Sequence, residues 1–580
     1  MTALGVLDGV VVAILPPLAA YLLVSGLDDL FVTCVALWGR RRPVAASLDP
    51  AVEQRPVAIL LPLWHEAAVV EQMVEHNLAA IDYQTFVIFA GAYPNDTETL
   101  ASLRRLEQRY ARVSVALCPH DGPTSKADCL NWIYQRLLLY EEEHGVRFGT
   151  IVTHDAEDLI HPRSLRWLNQ LCRDYDMVQI PVLALPTPWY ELTHGVYCDE
   201  FAQYQIQDAQ ARQRLGGFMP SNGVGTGYRR EALEKLAGAE ANCIFDPRSL
   251  TEDYENGIRL HRLGCRQLFF PVRMEGDAPV ATREYFPRTF DSARRQRTRW
   301  VTGNALQAWE RHGWFGGLRQ VYWLWRDRKG LLGNPVSVLS NLLLVYGAAT
   351  WVWAEAAGGR WSLAGAQVGW APWVTLWLQV VALIARGWCS AFVYGWRFAL
   401  GVPVRAVWAN AINFLAAAGA VWRFVSAKIR HEPLRWVKTE HVYPSRVALA
   451  DHKRPLTEWL VGEGCLTAEE AQGASLEELL EAGTLAEEDL CRAEGMRAGL
   501  AAVHVPAGRM HRGVVRALPA AVMRKHGVVP YEVEGGVLLL AASAAPSEAA
   551  LREIRRHTRL AVRVSLVTGS NFEMLVRAAA

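Results

Sequence analysis

Thr153-His154-Asp155-Ala156-Glu157-Asp158 is the stretch on which the reading of this chain turns. It follows the apolar run Phe148 to Val152 and closes at His161-Pro162, so a short buried strand ends in clustered carboxylates. Open α/β sheets place their sites just beyond the carboxyl ends of strands. Carboxylates this close repel one another and are best tolerated around a divalent cation, although a solvated acidic loop has the same composition.

Outward from that strand, about Pro43 to Lys329 alternates strand and helix patterns. Val57 to Pro62 reads as a buried strand, and Trp64-His65-Glu66 as the opening of a helix. Phe86 to Ala90 is a second strand that runs into Gly91-Ala92-Tyr93-Pro94-Asn95-Asp96. Val113 to Leu117 is a third, followed by the loop Gly122 to Lys126 and an amphipathic helix, and Met177 to Val182 is another strand. Strands separated by helices predict parallel βαβ units with both faces covered.

Three further clusters lie downstream. Asn222-Gly223-Val224-Gly225-Thr226-Gly227-Tyr228-Arg229-Arg230 is expected to be a glycine-rich loop that lets backbone approach a ligand, without the spacing of a dinucleotide fingerprint. Thr251-Glu252-Asp253 opens a helix over Tyr254 to Leu263, where plain N-terminal capping is the simpler account. Gln296-Arg297-Thr298-Arg299-Trp300 joins donors, cations and an aromatic face, a set that also suits an interfacial anchor.

The 580 residues imply two to four domains, and a net charge of +1 gives no argument for a nucleic acid polymer as partner. Hydrophobic residues make up 51% with 22 Trp, gathered in blocks that call for membrane spans. Ten scattered cysteines without a Cys-x-x-Cys pair suit reduced, cytosolic domains. Leu7 to Trp38, interrupted by Asp28-Asp29, reads as an uncleaved anchor with Arg40-Arg41-Arg42 held on the cytoplasmic side. Leu331 to Glu355 and about Trp370 to Trp388 are two more spans. Val404 to Phe424 carries Arg405, Asn410, Asn413 and Arg423, and a fourth crossing would put the basic run to Lys438 outside. An interfacial helix is therefore expected there.

After about Ala450 the composition turns to Ala, Glu, Leu and Arg. Leu456 to Gln472 and Leu476 to Ala493 read as similar units with capping boxes Thr467-x-x-Glu470 and Thr484-x-x-Glu487. Pro530 to Val533 and Val537 to Ala541 predict a hairpin in a small α+β domain. The expected division is 1–42 anchor, 43–329 catalytic, 330–445 membrane and interfacial, and 446–580 C-terminal domain.

In their order, Asp155-Ala156-Glu157, Thr251-Glu252-Asp253 and Gln296-x-x-Arg299-Trp300 resemble the family-two processive glycosyltransferases, which include cellulose, hyaluronan and chitin synthases. The resemblance covers about Arg55 to Trp300 and extends into the flanks through Pro433-Leu434-Arg435-Trp436-Val437-Lys438-Thr439. Tyr-Pro-Asn-Asp and Thr-His-Asp-Ala-Glu-Asp make the chain similar to the phage-adsorption protein B type of inner-membrane transferase.

This resemblance implies a nucleotide-diphospho-sugar transferase (GT-A type) α/β domain set between transmembrane helices. Asp155 and Glu157 would hold Mg²⁺ or Mn²⁺ on the donor diphosphate, with Glu157 standing where the family has Asp. Asp253, beside Glu252, would be the base that deprotonates the acceptor hydroxyl, giving inversion. Gln296, Arg299 and Trp300 would bind the diphosphate and stack at the acceptor, with Gly225, Thr226 and Gly227 on the acceptor side. Glu66 and Lys126 match nucleotide-pocket positions, and Asp96 stands nearest the acidic residue that meets the base in the family. The donor, acceptor and setting implied are a UDP-sugar (an N-acetylhexosamine is the lean), a growing polysaccharide, the bilayer of a bacterial inner membrane, and a periplasmic or outer-membrane export partner.

The tail resembles the N-terminal domain of type II secretion and pilus assembly ATPases (the MshE N-terminal type), some of which bind cyclic di-GMP through Arg-Leu-Gly-x-x-Leu-Val-like units. Here Arg454, Leu456 and Leu460 fit the first unit, and the second, from Leu476, has no arginine at its head. A docking module is the alternative for the tail. For the whole chain the alternatives are a polyprenyl-phosphate sugar transferase and a non-catalytic export or receptor scaffold.

Overall fold

A computed structural model describes residues 3–38, 47–49, 51–239, 243–275, 278–365, 369–432, 434, 456–462, 465–498, 500–510, 512–534, 537–558 and 560–579. Two compact units emerge: Met1–His65, Val87–Asp158 and Trp167–Tyr443 form one, and Glu66–Phe86, Leu159–Arg166 and Pro444–Ala580 the other.

The first unit is built on a seven-stranded sheet ordered β3-β2-β1-β4-β7-β5-β8. Its strands are β1 (Val57–Pro62), β2 (Phe86–Ala92), β3 (Val113–Leu117), β4 (Thr150–Thr153), β5 (Met177–Gln179), β7 (Thr226–Arg229) and β8 (Gln267–Phe269), with β6 (Val182–Ala184) set apart. β1 and β4 are parallel and buried along almost their whole length, as strands covered on both faces are. The sheet departs from the all-parallel expectation at one place. Thr226–Arg229, expected to be loop, is a strand antiparallel to both β4 and β5. Alternating Thr-Gly-Tyr-Arg satisfies strand pairing once Thr153 and Gln179 lie beside it. Met177 to Val182 divides likewise, its second half leaving the main sheet to pair with β11 (Thr282–Glu284), which comes after the ribbon β9 (Met274–Glu275) and β10 (Ala278–Pro279).

The helices of this unit are α1 (Ala3–Trp38), α3 (Thr97–Arg109), α4 (Lys126–His144), α5 (Ser164–Leu171, which straddles the division), α6 (Leu192–Gln203), α7 (Ala209–Arg214), α8 (Arg230–Ala239), α9 (Glu252–Arg262), α10 (Phe290–Trp300), α11 (Ala308–His312), α12 (Leu318–Ala356), α13 (Ala371–Tyr394), α14 (Trp396–Ala399) and α15 (Val402–Arg430). Helix α2 (Val70–Ala80) belongs to the second unit. The helix expected from Trp64 starts only at Val70, because His65 takes a left-handed φ of 54° that no helix continues.

α1, α12, α13 and α15 are each long and apolar enough to cross a membrane. At about 1.5 Å per residue all four are longer than a 30 Å hydrocarbon core is thick, α1 and α12 by the most. Asp28 and Asp29 of α1 are paired by α12: Lys329 Nζ lies 2.8 Å from Asp28 and 2.6 Å from Asp29, and Tyr322 donates to Asp28 at 2.6 Å. Arg326 completes this pairing.

Like α13, whose Ser390 donates to Asp199 at 2.7 Å, α15 contacts α6, and it adds a contact along α10. Trp408 meets Phe290, Asn413 accepts from Arg297 at 2.6 Å and donates to Glu200 at 3.1 Å, Gly419 faces Thr298, and Lys428 pairs with Glu310. Arg405, fully buried, donates to both carboxylate oxygens of Asp199 at 2.6 and 2.9 Å. The helix therefore lies along α10 and the residues just after it.

In the second unit, Asn77 of α2 accepts from Ile160 N–H and Arg166 pairs with Asp82. Its C-terminal part begins with short helices α16 (Leu456–Gly462), α17 (Ala468–Gly473), α18 (Leu476–Glu481) and α19 (Glu487–Ala498). A four-stranded sheet comes next, ordered β12-β15-β14-β13, from β12 (Ala501–Ala502), the hairpin β13 (Val528–Glu534) and β14 (Val537–Ala542), and β15 (Ala561–Leu566). Val528, Leu538, Leu540, Ile554 and Leu566 fill its core. The first capping box forms at Thr467. The second forms at Ser475 with Glu478, not at Thr484: Thr484 N–H bonds Leu479 O, and Glu487 instead accepts from the Ser570 hydroxyl at 2.5 Å.

Candidate active site

The carboxyl end of β4 delivers the acidic stretch, and its members separate into different tasks. Asp158 is fully buried and accepts from Asp155 N–H at 2.9 Å, with His154 Nδ1 2.7 Å away. It is the turn's brace, and burial, partly offset by His154, pushes its carboxyl up to about 6. Asp155 points elsewhere: its Oδ1 is 2.5 Å from Lys126 Nζ, at the first position of α4. Glu157 is buried.

Lys126 ties this loop to the second acidic cluster. Burial pulls its ammonium down, but Asp155, Glu252 and Asp253 together outweigh that and hold it above its ordinary range. Burial and then the neighbouring Asp253 charge push Glu252 up to about 7, against Lys126 and Arg299. Asp253 is raised in the same way, with Lys126, the Tyr254 N–H and Arg299 opposing burial. Glu252 is buried and Asp253 half-buried, so of the two Asp253 is the one open to a reactant.

Two glycines permit the approach on the other side. Gly223 has φ +82°, and a Cβ there would sit 2.6 Å from Asp253 Oδ2. Gly225, at φ +62°, would meet Thr282 Oγ1 at 2.4 Å. Thr226 and Gly227, placed on the acceptor side by sequence, belong to β7 and are fully buried or nearly so. Gln296 Oε1 is buried and has no hydrogen-bond partner among the described residues. Trp300 sits in an aromatic cluster with Tyr197, Phe201 and Phe286 at 6.1 to 6.5 Å between ring centres.

Asp96 is spent locally. It accepts from His65 N–H at 2.6 Å and caps α3 through Thr99 N–H at 3.4 Å, holding the strained His65 turn. Glu66 is buried in that turn, its carbonyl accepting from Val69 and Val70 N–H. Arg454 lies outside the described residues, and Leu456 and Leu460 are buried in α16.

A sequence profile described as "Glycosyltransferase like family 2" matches residues 54–303, and the MshEN domain profile matches 498–579. The bacteriophage adsorption protein B of Escherichia coli strain K12 is 32% identical over 600 residues, spanning 95% of this chain and 79% of that protein. The chain belongs to the bacteriophage adsorption protein B family. The bacteriophage N4 adsorption protein B of Escherichia coli O157:H7 matches with the same identity and coverage. Among solved structures, a mannosyltransferase from Pyrobaculum calidifontis in complex with GDP-Man and Mn2+ covers 70% of this chain and 99% of its own at 16% identity and a TM-score of 0.42. The MshEN match begins after the segment that holds Leu456 and Leu460.

This adsorption protein B relative is a glycosyltransferase with a family-2 catalytic domain of GT-A-like α/β fold and a small MshEN domain. Two buried glutamines that hold loops beside the site escaped sequence reading. Gln179, fully buried, accepts from Asn222 N–H (2.8 Å) and the Thr226 hydroxyl (2.7 Å) and donates to Ile180 and Val224 carbonyls (2.7 and 2.8 Å). It fixes the glycine loop. Gln307 does the same for the loop ahead of Glu252. Neither sits in a motif; the polar residue at the end of the apolar strand Met177 to Gln179 was the only signal.

Proposed function

We propose that the chain is an inverting, processive transferase of a bacterial inner membrane, extending a cell-surface polysaccharide from a UDP-sugar. The observation that carries this reading is the convergence of Lys126, Asp155, Glu252, Asp253 and Arg299 on one electrostatic centre at the end of the parallel strands. Asp253 takes the proton of the acceptor hydroxyl as that oxygen attacks the anomeric carbon from the face opposite the leaving UDP. Glu252 beside it raises the affinity of the pair for that proton. Lys126 and Arg299 neutralise the departing diphosphate, and the Gln296 amide N–H donates to it. Burial of Glu252 and of the β4 end excludes water, so the acceptor hydroxyl is the nucleophile of choice.

Asp155 and Glu157 offer hard carboxylate oxygens suited to Mg²⁺ or Mn²⁺. Among the described residues no three His, Cys, Asp or Glu side chains gather as a metal cage, so an ion held by Asp155 and Glu157 would need its remaining ligands from the donor diphosphate. When bound, the ion would withdraw charge from the diphosphate. An N-acetylhexosamine is the favoured donor sugar.

In this reading α1, α12 and α13 cross the membrane and α15 lies at its cytoplasmic surface, with the catalytic and C-terminal domains cytosolic. Its support is the packing of α15 along α10, through Asn413 on Arg297 and Trp408 on Phe290, set against the exposed apolar row Val404, Val407, Trp422, Val425 and Ile429. The relatives' name suggests that the glycan, passed to an export partner, is displayed where phage adsorb. The C-terminal domain takes cyclic di-GMP and activates transfer.

The test uses purified membranes and a panel of radiolabelled UDP-sugars with Mg²⁺ or Mn²⁺, with and without cyclic di-GMP. Transfer by wild type that is abolished in Asp253→Asn supports the reading. A product that is a single sugar on polyprenyl phosphate would replace it with a lipid-linked transferase. No transfer and no donor hydrolysis in either protein would leave a scaffold, and activity indifferent to cyclic di-GMP would leave the tail a docking module.

A further inference from the structure

The helix that carries Gln296, Arg299 and Trp300 does not simply continue past Trp300. Val301–Gln307 is wound as a π-helix before α-helical winding resumes at Ala308. A π segment inserts residues into the helical ladder, and each inserted residue turns the downstream helix by roughly 100° about the axis. Gln307 is thereby aimed across at the loop before α9. Its Oε1 accepts from Leu250 N–H at 2.9 Å, and its Nε2 donates to Arg248 O at 2.8 Å. One turn earlier Gly303 lies so close to Thr251 that a Cβ would stand 2.3 Å from Thr251 Oγ1 and 2.7 Å from its Cγ2. Thr251 precedes Glu252 at the start of α9 but makes no side-chain capping bond. The loop that presents Asp253 is held from outside, by the π segment.

We propose that Gln307 and Gly303 form a strut that sets the position of Asp253 relative to Arg299, making Gln307 a positioning residue for the transfer step. The proposal rests on the reading of Asp253 as the base and Arg299 as a diphosphate ligand. Both ends of the reaction then share one rigid piece: the helix that holds the leaving group also holds, through two hydrogen bonds and one close contact, the loop that presents the base. A plain α-helix past Trp300 would turn Gln307 away and leave Arg248 to Leu250 without these partners. Buried amides paired on both sides are geometrically demanding, so the strut tolerates neither a shorter nor an apolar side chain.

The test compares wild type with Gln307→Leu, Gly303→Ala and Gly303→Ala combined with Thr251→Ala, each as the full chain in membranes. With the donor that wild type uses best, Gln307→Leu and Gly303→Ala are expected to lower kcat roughly 10–100-fold, the scale of an ångström-size misplacement. UDP affinity should stay within about twofold, and the double substitution, which removes the obstructing Thr251 atoms, should recover most of the Gly303→Ala loss. A donor-free measurement runs beside it: hydrogen exchange over residues 246–256 should accelerate in Gln307→Leu. Unchanged exchange, kcat retained within about twofold, or UDP affinity falling in step with kcat would each overturn the strut. If wild type and Asp253→Asn are alike inactive, the transferase reading fails, while the exchange result still decides whether the strut exists.

Discussion

Lys126 Nζ lies 2.5 Å from Asp155 Oδ1, which joins the start of α4 to the end of β4 through a single ion pair. The same ammonium faces Glu252 and Asp253, so together with Arg299 it offsets carboxylates brought from two distant stretches of the chain. Its replacement by Met should leave those carboxylates harder to ionise. The expected result is a large drop in transfer at neutral pH, partly recovered at higher pH, seen by comparing kcat–pH profiles of Lys126→Met and wild type.

The acid limb of the wild-type profile should belong to the Glu252–Asp253 pair, not to either residue alone. With Glu252 pushed up to about 7 in the free enzyme, kcat/KM should be half-maximal near pH 7 and level roughly a unit above it. A limb centred near the ordinary carboxylate value of 4.5 would contradict this.

Stability should move the other way. Glu252 and Asp158 are raised from 4.5 and 3.8 to about 7 and about 6. Each therefore contributes stability that is complete below its ordinary value and is lost as pH climbs through its folded value. Thermal midpoints at fixed scan rate should fall across that window, and Glu252→Gln should flatten its share of the fall.

Arg405 and Asp199 are both buried and bonded at two points. Removing one partner strands a charge, so Arg405→Leu should destabilise the protein by about 3–5 kcal/mol, while the double substitution with Asp199→Leu should cost much less. A double-mutant cycle on thermal midpoints in detergent measures the coupling. Near-additive losses would show that α15 is not locked to α6 by this pair.

Gln179→Leu keeps the volume of the side chain and removes four hydrogen bonds. A cost of about 1–3 kcal/mol for each buried group left unmet is expected. If the glycine loop it holds serves the acceptor, as the family resemblance implies, acceptor KM should rise with UDP affinity unchanged. Equal losses in both would assign Gln179 to general packing.

By itself the sequence determined the strand ends and the acidic motifs, since apolar runs of strand length and carboxylates at their termini are local signals. It also marked the four apolar helices. Tertiary structure decided the rest. That Thr226–Arg229 is a strand depends on β4 and β5 lying on either side, a pairing across some fifty to seventy-five residues of chain. That Asp96 is spent on His65 depends on a turn whose left-handed backbone no propensity announces. Gln307 reaches Leu250 only because the helix after Trp300 changes its winding, and winding is set by what packs around it as much as by the residues within it.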